Sequence, residues 1–254
     1  MEKINLTKLI AENTSYSRRQ AEKLIRTGLV FVNDKKATLG EKHGRNSVIK
    51  IKGKIIESNL KKKNIYIKLN KPIGYVCTKR KFKGEKNIFS LLQDVPQNEI
   101  LFSIGRLDKD SSGLLLLTND GFLNYYLSHP RFEKQKKYLV EIAPTKILQK
   151  ELEWESFLNK MIEEFKSGID IKQETLARAK KIKYLGKRKF QIILSEGKKR
   201  QIREMFKYFG LKVIKLKRIE FAGIKLDNLP EGKWSYLSPA EEKIIKNGRG
   251  GRVV

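Results

Sequence analysis

Leu114 to Leu117 are four consecutive leucines, closed by Gly113 on one side and by Asn119-Asp120-Gly121 on the other. A run this short and uniformly apolar, set between turn residues, reads as a strand buried on both faces, since a half-solvated strand would alternate. Such a strand demands a covering layer on each side, and 254 residues are enough to supply both. Apolar spacing predicts helices near residues 121–128, 146–166 and 200–209. In the last of these Ile202, Met205, Phe206 and Phe209 stand at i, i+3, i+4 and i+7, with Gly210 at the end. Further strands are expected over 64–69, 137–142, 188–194 and 211–218. Strands and helices are mixed without a regular βαβ period. The expected class is therefore α+β, with a mixed, mainly antiparallel sheet flanked by helices, not a doubly wound fold.

Charge narrows the partners. The chain carries 56 Lys and Arg against 28 Asp and Glu, a formal +28, and that self-repulsion is relieved where an anionic partner releases counterions. Nucleic acid is the leading partner. No apolar run approaches the ~20 residues of a membrane helix, no basic amphipathic helix is long enough to lie in an interface, and the polar start is unlike a signal peptide. A cytoplasmic protein is expected, with no membrane partner. Cys77, His43 and His129 are the only residues of their kinds, too few for a disulfide or a zinc site.

Residues 1–63 hold 16 Lys and Arg against 6 Asp and Glu, a denser basic balance than the rest. Lys61-Lys62-Lys63 reads as a linker, which divides the chain into a small domain over 1–60, a larger one over 64–245 and a flexible basic tail over 246–254. In the small domain, Ser17-Arg18-Arg19-Gln20 has the form of a capping box and Gly28 is placed to end a helix over about 18–27. Ala21, Leu24 and Ile25 share one side, whereas Arg18, Arg19, Lys23 and Arg26 fall on the other. A short strand over 29–32, a turn at Asn33-Asp34 and a second strand around 36–38 follow.

Two segments of the larger domain carry groups suited to chemistry. Gly105-Arg106-Leu107-Asp108-Lys109-Asp110-Ser111-Ser112 is a loop leading directly into the buried strand, where rigid support holds reactive groups. Asp108 and Asp110 could hold Mg²⁺ for a nuclease, but Arg106 and Lys109 beside them suit an anion better and further carboxylates are lacking. The second is Ser195-Glu196-Gly197-Lys198-Lys199-Arg200-Gln201-Ile202-Arg203, in which Gly197 would let backbone donors approach an RNA phosphate.

Gly105-Arg106-Leu107-Asp108, with Ser112-Gly113-Leu114-Leu115-Leu116-Leu117-Thr118-Asn119-Asp120-Gly121, resembles the signature of the bacterial rRNA pseudouridine synthases of the small-subunit/large-subunit (RsuA-like) family. The first 60 residues are similar to the S-four RNA-binding module of that branch. Asn70 to Gly74, Lys137 to Val140, Glu196 to Phe206, and Leu216 to Ile219 followed by Gly232-Lys233-Trp234 resemble its further motifs in order. The resemblance implies isomerisation of uridine to pseudouridine in rRNA; the subunit stays open with the large favoured over the small, no cofactor or metal is expected because no redox change or group donor enters, and a monomer is the default. Asp108 would be the catalytic aspartate, Tyr138 the aromatic residue against the uracil and Arg203 the basic partner of Asp108. Lys71 and Pro72 would support the catalytic loop. Arg18, Arg19, Lys23, Arg26, Lys71, Arg106, Lys198, Lys199 and Arg200 are the expected RNA contacts. The substrate would be rRNA or a ribosomal assembly intermediate. The rival from another class is a non-catalytic RNA-binding or ribosome-assembly factor, which has no need of a carboxylate in a cationic cleft.

Overall fold

The leucine run lies inside a strand, β11 (Ser112–Thr118), all seven residues of which are buried. Leu115 and Leu117 enter one apolar cluster and Leu114 and Leu116 another, so the two faces of one strand feed two cores. The computed structural model describes residues 3–14, 16–56, 64–80, 82–144 and 151–247. The expected linker Lys61–Lys63, residues 146–150 of the expected 146–166 helix and residues 248–254 of the expected tail lie outside the described residues. Spatially the chain divides into Met1–Asn64 and Ile65–Val254.

The first unit holds β1 (Ile4–Asn5), α1 (Leu6–Asn13), α2 (Arg18–Arg26), β2 (Val30–Val32), β3 (Lys35–Lys36), β4 (Lys42–His43), β5 (Ile49–Ile51) and β6 (Lys54–Ile56). Strands pair antiparallel in the order β3-β2-β5-β6, and β1 pairs with β4. Helix α2 starts on the capping box: Ser17 Oγ accepts from Gln20 N–H, and Gln20 Oε1 accepts from Ser17 N–H at 2.8 Å. Its apolar side, Ala21, Leu24 and Ile25, packs with Leu9, Ile10, Val30 and Ile51, while all four cations of the other face are exposed. The hairpin turn has Asn33 and Asp34 at φ 49° and 62°, the conformation a tight two-residue hairpin requires. Its second strand ends at Lys36, before the expected Thr38, because the Thr38 N–H turns to the Glu41 carboxylate at 2.8 Å.

The second unit is built on a nine-stranded mixed sheet. Beside β11 it uses β7 (Tyr66–Lys71), β10 (Phe102–Ile104), β12 (Lys136–Ile142), β13 (Lys181–Tyr184), β14 (Lys189–Leu194), β15 (Val213–Phe221), β16 (Ile224–Lys225) and β17 (Trp234–Tyr236); β8 (Tyr75–Val76) and β9 (Lys86–Asn87) pair apart from it. The main order is β13-β14-β12-β15-β11-β7-β17, antiparallel throughout except β11 with β15. Helices α4 (Glu151–Ser167) and α5 (Gln201–Tyr208) contribute Met161, Phe165, Ile202, Met205 and Phe206 to one core. Helices α3 (Gly121–Ser128) and α6 (Pro239–Asn247) contribute Leu123, Leu127 and Ile245 to the other. This is the α+β arrangement that the doubly buried strand demanded. No helix among the described residues is long and apolar enough to cross a membrane.

Candidate active site

The loop before β11 is held by its backbone. The five carbonyls from Leu107 to Ser111 each accept a hydrogen bond: Leu107 from Cys77 Sγ, Asp108 from Lys71 Nζ, Lys109 from Gly74 N–H, Asp110 from Arg203 Nη2 and Ser111 from Lys71 Nζ. Lys71 is wholly buried and gives its third donor to the Pro72 carbonyl at 3.0 Å. Burial pushes its ammonium pKa down against the opposing charges of Asp108 and Asp110. With three donors spent internally, Lys71 cannot be the RNA contact the sequence suggested; it is a brace beneath the loop.

Arg203 also departs from its expected partner. Its Nε lies 3.2 Å from Asp110 Oδ2, and Nη1 donates to Val213 O at 2.9 Å. Arg200 takes the same carboxylate in a fork, at 2.9 and 3.3 Å. The ion pair predicted for Asp108 is therefore formed by Asp110, two residues on. Burial raises the Asp110 pKa, but the Arg200 hydrogen bond and the charges of Arg203 and Arg200 outweigh it and hold the carboxyl below its usual range. An Asp110 committed to two guanidinia is a poor metal ligand. Among the described residues no three of His, Cys, Asp and Glu cluster as a metal site would need.

Asp108 itself is exposed and opens onto a cavity of about 400 Å³. Sharing that cavity are Arg106, Ser111, Lys134, Lys136, Tyr138, Gly197, Lys198, Lys199, Arg200 and Arg218. Tyr138 comes from the middle of β12 and is 8% exposed. Of the expected RNA contacts, Arg106, Lys199 and Arg200 are exposed around the cavity, whereas Lys198 is tied to Thr175 and Glu196. Gly197 lines the cavity, but the following N–H, of Lys198, is occupied by Gln201 Oε1 at 3.1 Å, so that donor is not presented to a phosphate.

Lys136 and Arg218 were not among the site residues read from sequence. Lys136 donates to Glu196 O at 3.1 Å; desolvation first, and then the charge of Arg218, lower its pKa to about 8, against the opposing charge of Glu196. Arg218 reaches the cavity through a bulge. Lys137 faces Glu220 but Tyr138 faces Arg218, leaving Ile219 as an extra residue in β15. The offset lets Leu216, Arg218 and Phe221, spaced by two and then by three, line one cavity. Simple alternation would not have grouped them.

The arrangement presents one accessible carboxylate on a braced loop, at the mouth of a cationic hollow with a buried aromatic ring. Residues 65–208 match the family model described as RNA pseudouridylate synthase, and residues 8–49 match the S4 domain. Ribosomal large subunit pseudouridine synthase B of Bacillus subtilis is 37% identical over 95% of this chain and 95% of its own length. The dual-specificity RNA pseudouridine synthase RluF of Escherichia coli is 34% identical over 96% of this chain and 80% of its own. A solved pseudouridylate synthase matches with a TM-score of 0.66 at 29% identity, covering 95% of this chain and 99% of that one.

Proposed function

Because this chain belongs to the RNA pseudouridylate synthase family, we propose that it isomerises uridine to pseudouridine in ribosomal RNA, of the large subunit in preference to the small, with Asp108 as the catalytic carboxylate. The observation that carries this reading is Asp108, exposed on a loop with five hydrogen-bonded carbonyls and opening onto the cavity that Tyr138 lines.

The reaction breaks the bond from ribose C1′ to uracil N1, turns the base and rejoins it through C5. No redox change or group donor enters. An ionised carboxylate can attack C1′ or remove a proton from C2′, and either route needs Asp108 charged. Arg203 and Arg200 serve this indirectly: they neutralise Asp110, the next carboxylate along, and fix the loop from which Asp108 projects. A stacked uridine is out of reach, so the nucleotide flips at a cost of a few kcal/mol, and Tyr138 offers a face for the extruded base. Arg106, Lys199 and Arg200, which line the cavity, meet the flanking phosphates on this reading. The RNA is reached in the cytoplasm, as rRNA or an assembly intermediate.

RNA labelled with tritium at uracil C5 tests the assignment. Asp108→Asn removes the charge and keeps the shape, so tritium release falls to background while the Kd for RNA changes by no more than about threefold. Appreciable product from this variant would refute the role. RNA bound without turnover by the unaltered protein would favour the non-catalytic assembly factor, and strand cleavage would favour the nuclease.

A further inference from the structure

Arg218 is 1% exposed, yet it lines the cavity that Asp108 opens onto. Its Nε donates to Leu114 O at 2.7 Å and its guanidinium lies 4.9 Å from the centre of the Phe221 ring, but Nη2 is buried with no hydrogen-bond partner. A buried guanidinium nitrogen is among the costliest groups to leave unpaired, so an unfilled donor beside a cavity marks a place for a ligand acceptor. A second cation, Lys136, lines the same cavity close enough for the two charges to repel. Repelling cations packed together are an anion receptor in want of its anion.

Strand register indicates which anion. Arg218 stands directly opposite Tyr138 in the antiparallel β12·β15 pair, an arrangement that sets Cβ atoms about 5 Å apart on one face of a sheet. A base lying against Tyr138 therefore meets Arg218 at its edge, whereas the flanking phosphates meet the exposed Arg106, Lys199 and Arg200. We infer that Arg218 is a further catalytic residue, whose guanidinium donates to a carbonyl oxygen of the uracil and stabilises the base as it departs carrying negative charge. This rests on the activity proposed above.

The step balances without any added reactant. Asp108 forms a bond to C1′, or takes the proton from C2′, as the C1′–N1 bond breaks. The bonding pair stays with uracil, giving an anion delocalised over N1 and both carbonyl oxygens. Arg218 keeps its protons throughout. C5 then bonds to C1′, the Asp108 bond or the C2′ proton loss is reversed, the C5 proton leaves, and N1 takes a proton from water.

Single-turnover rates on saturating RNA test the assignment, with thermal unfolding as the check on folding. Arg218→Gln lowers the rate of C1′–N1 cleavage by about 10²-fold or more, the usual loss for one preorganised donor at a developing negative charge, with Kd for RNA within about threefold. Arg218→Lys keeps a charge and loses less. Both variants are compared with the unaltered protein on RNA carrying 5-fluorouridine at the target, whose more acidic base leaves more readily. The deficit then shrinks by about tenfold if Arg218 stabilises the departing base. An equal deficit on the two bases, an unchanged rate, or a loss confined to RNA affinity would overturn the inference. Should Arg218→Gln not fold, Arg218→Lys carries the same comparison. Absence of pseudouridine from the unaltered protein would instead remove the activity on which the inference rests.

Discussion

Lys136 shows how one half-buried side chain carries a pH signature. Its pKa of about 8 lies below the ordinary 10.5 because the ammonium is desolvated and faces Arg218. In the free protein the unfolded chain binds the extra proton between pH 8 and 10.5, so this residue's contribution to stability increases with pH across that window. RNA binding has the opposite sign, because deprotonation above pH 8 removes a cation from the cavity. Affinity measured by fluorescence anisotropy falls as pH rises through about 8, and Lys136→Arg, which stays charged, abolishes that fall. A limb of the same size and position in Lys136→Arg would assign it to another group. The sequence revealed the residue types here but not their pairings. Asp108 and Asp110 are two residues apart in a loop without periodicity, so nothing in the sequence could decide which of them Arg203 would meet. Lys71 was expected both to support the loop and to touch RNA, and only the first holds, because burial of its ammonium depends on carbonyls far along the chain, those of Asp108 and Ser111.

At the level of elements, legibility followed the strength of local rules. Helices α2 and α3 lie where caps and apolar spacing put them, Ser17 and Asp120 each accepting from the first turn. Strand β11 announced itself by composition. Short elements with few apolar residues, such as β13 and β17, escaped notice because tertiary pairing, not propensity, creates them. The contact between β11 and β15 depends on Gly113, at φ 102°, where an added Cβ would lie 2.2 Å from the Arg218 carbonyl oxygen. Backbone cannot retreat there without parting the one parallel pair in the sheet. Gly113→Ala therefore destabilises the protein by about 2–4 kcal/mol, seen as a lower urea midpoint with an unchanged m-value. Gly121→Ala is the control: it opens α3 at ordinary φ, its Cβ would meet nothing within 4 Å, and it is neutral or stabilising. Equal losses at the two sites would mean that close approach is not what Gly113 provides.

For the molecule as a whole, a charge of +28 makes affinity a function of salt. The exposed face of α2 is where the first unit can contribute most directly: Arg18, Arg19, Lys23 and Arg26 are all exposed, and Glu22, which pairs with Arg26 at 3.1 Å, is the only acid on the helix. If three of these arginines sit on phosphates, replacing Arg18, Arg19 and Arg26 by Glu lowers the magnitude of the slope of log K against log salt by about 2–3, since each contact releases roughly 0.7–0.9 of a counterion. Binding followed from about 50 to 200 mM salt measures this slope. Circular dichroism checks that the helix survives, because the carboxylate introduced by Arg26→Glu repels Glu22 at i,i+4 by only a few tenths of a kcal/mol. The single-turnover rate on saturating RNA stays unchanged, because the described braces of the Asp108 loop come from residues of the second unit. An unaltered salt slope would return the face to ordinary solvation and leave RNA capture to the catalytic unit. A changed saturating rate would show that the first unit does more than hold the substrate.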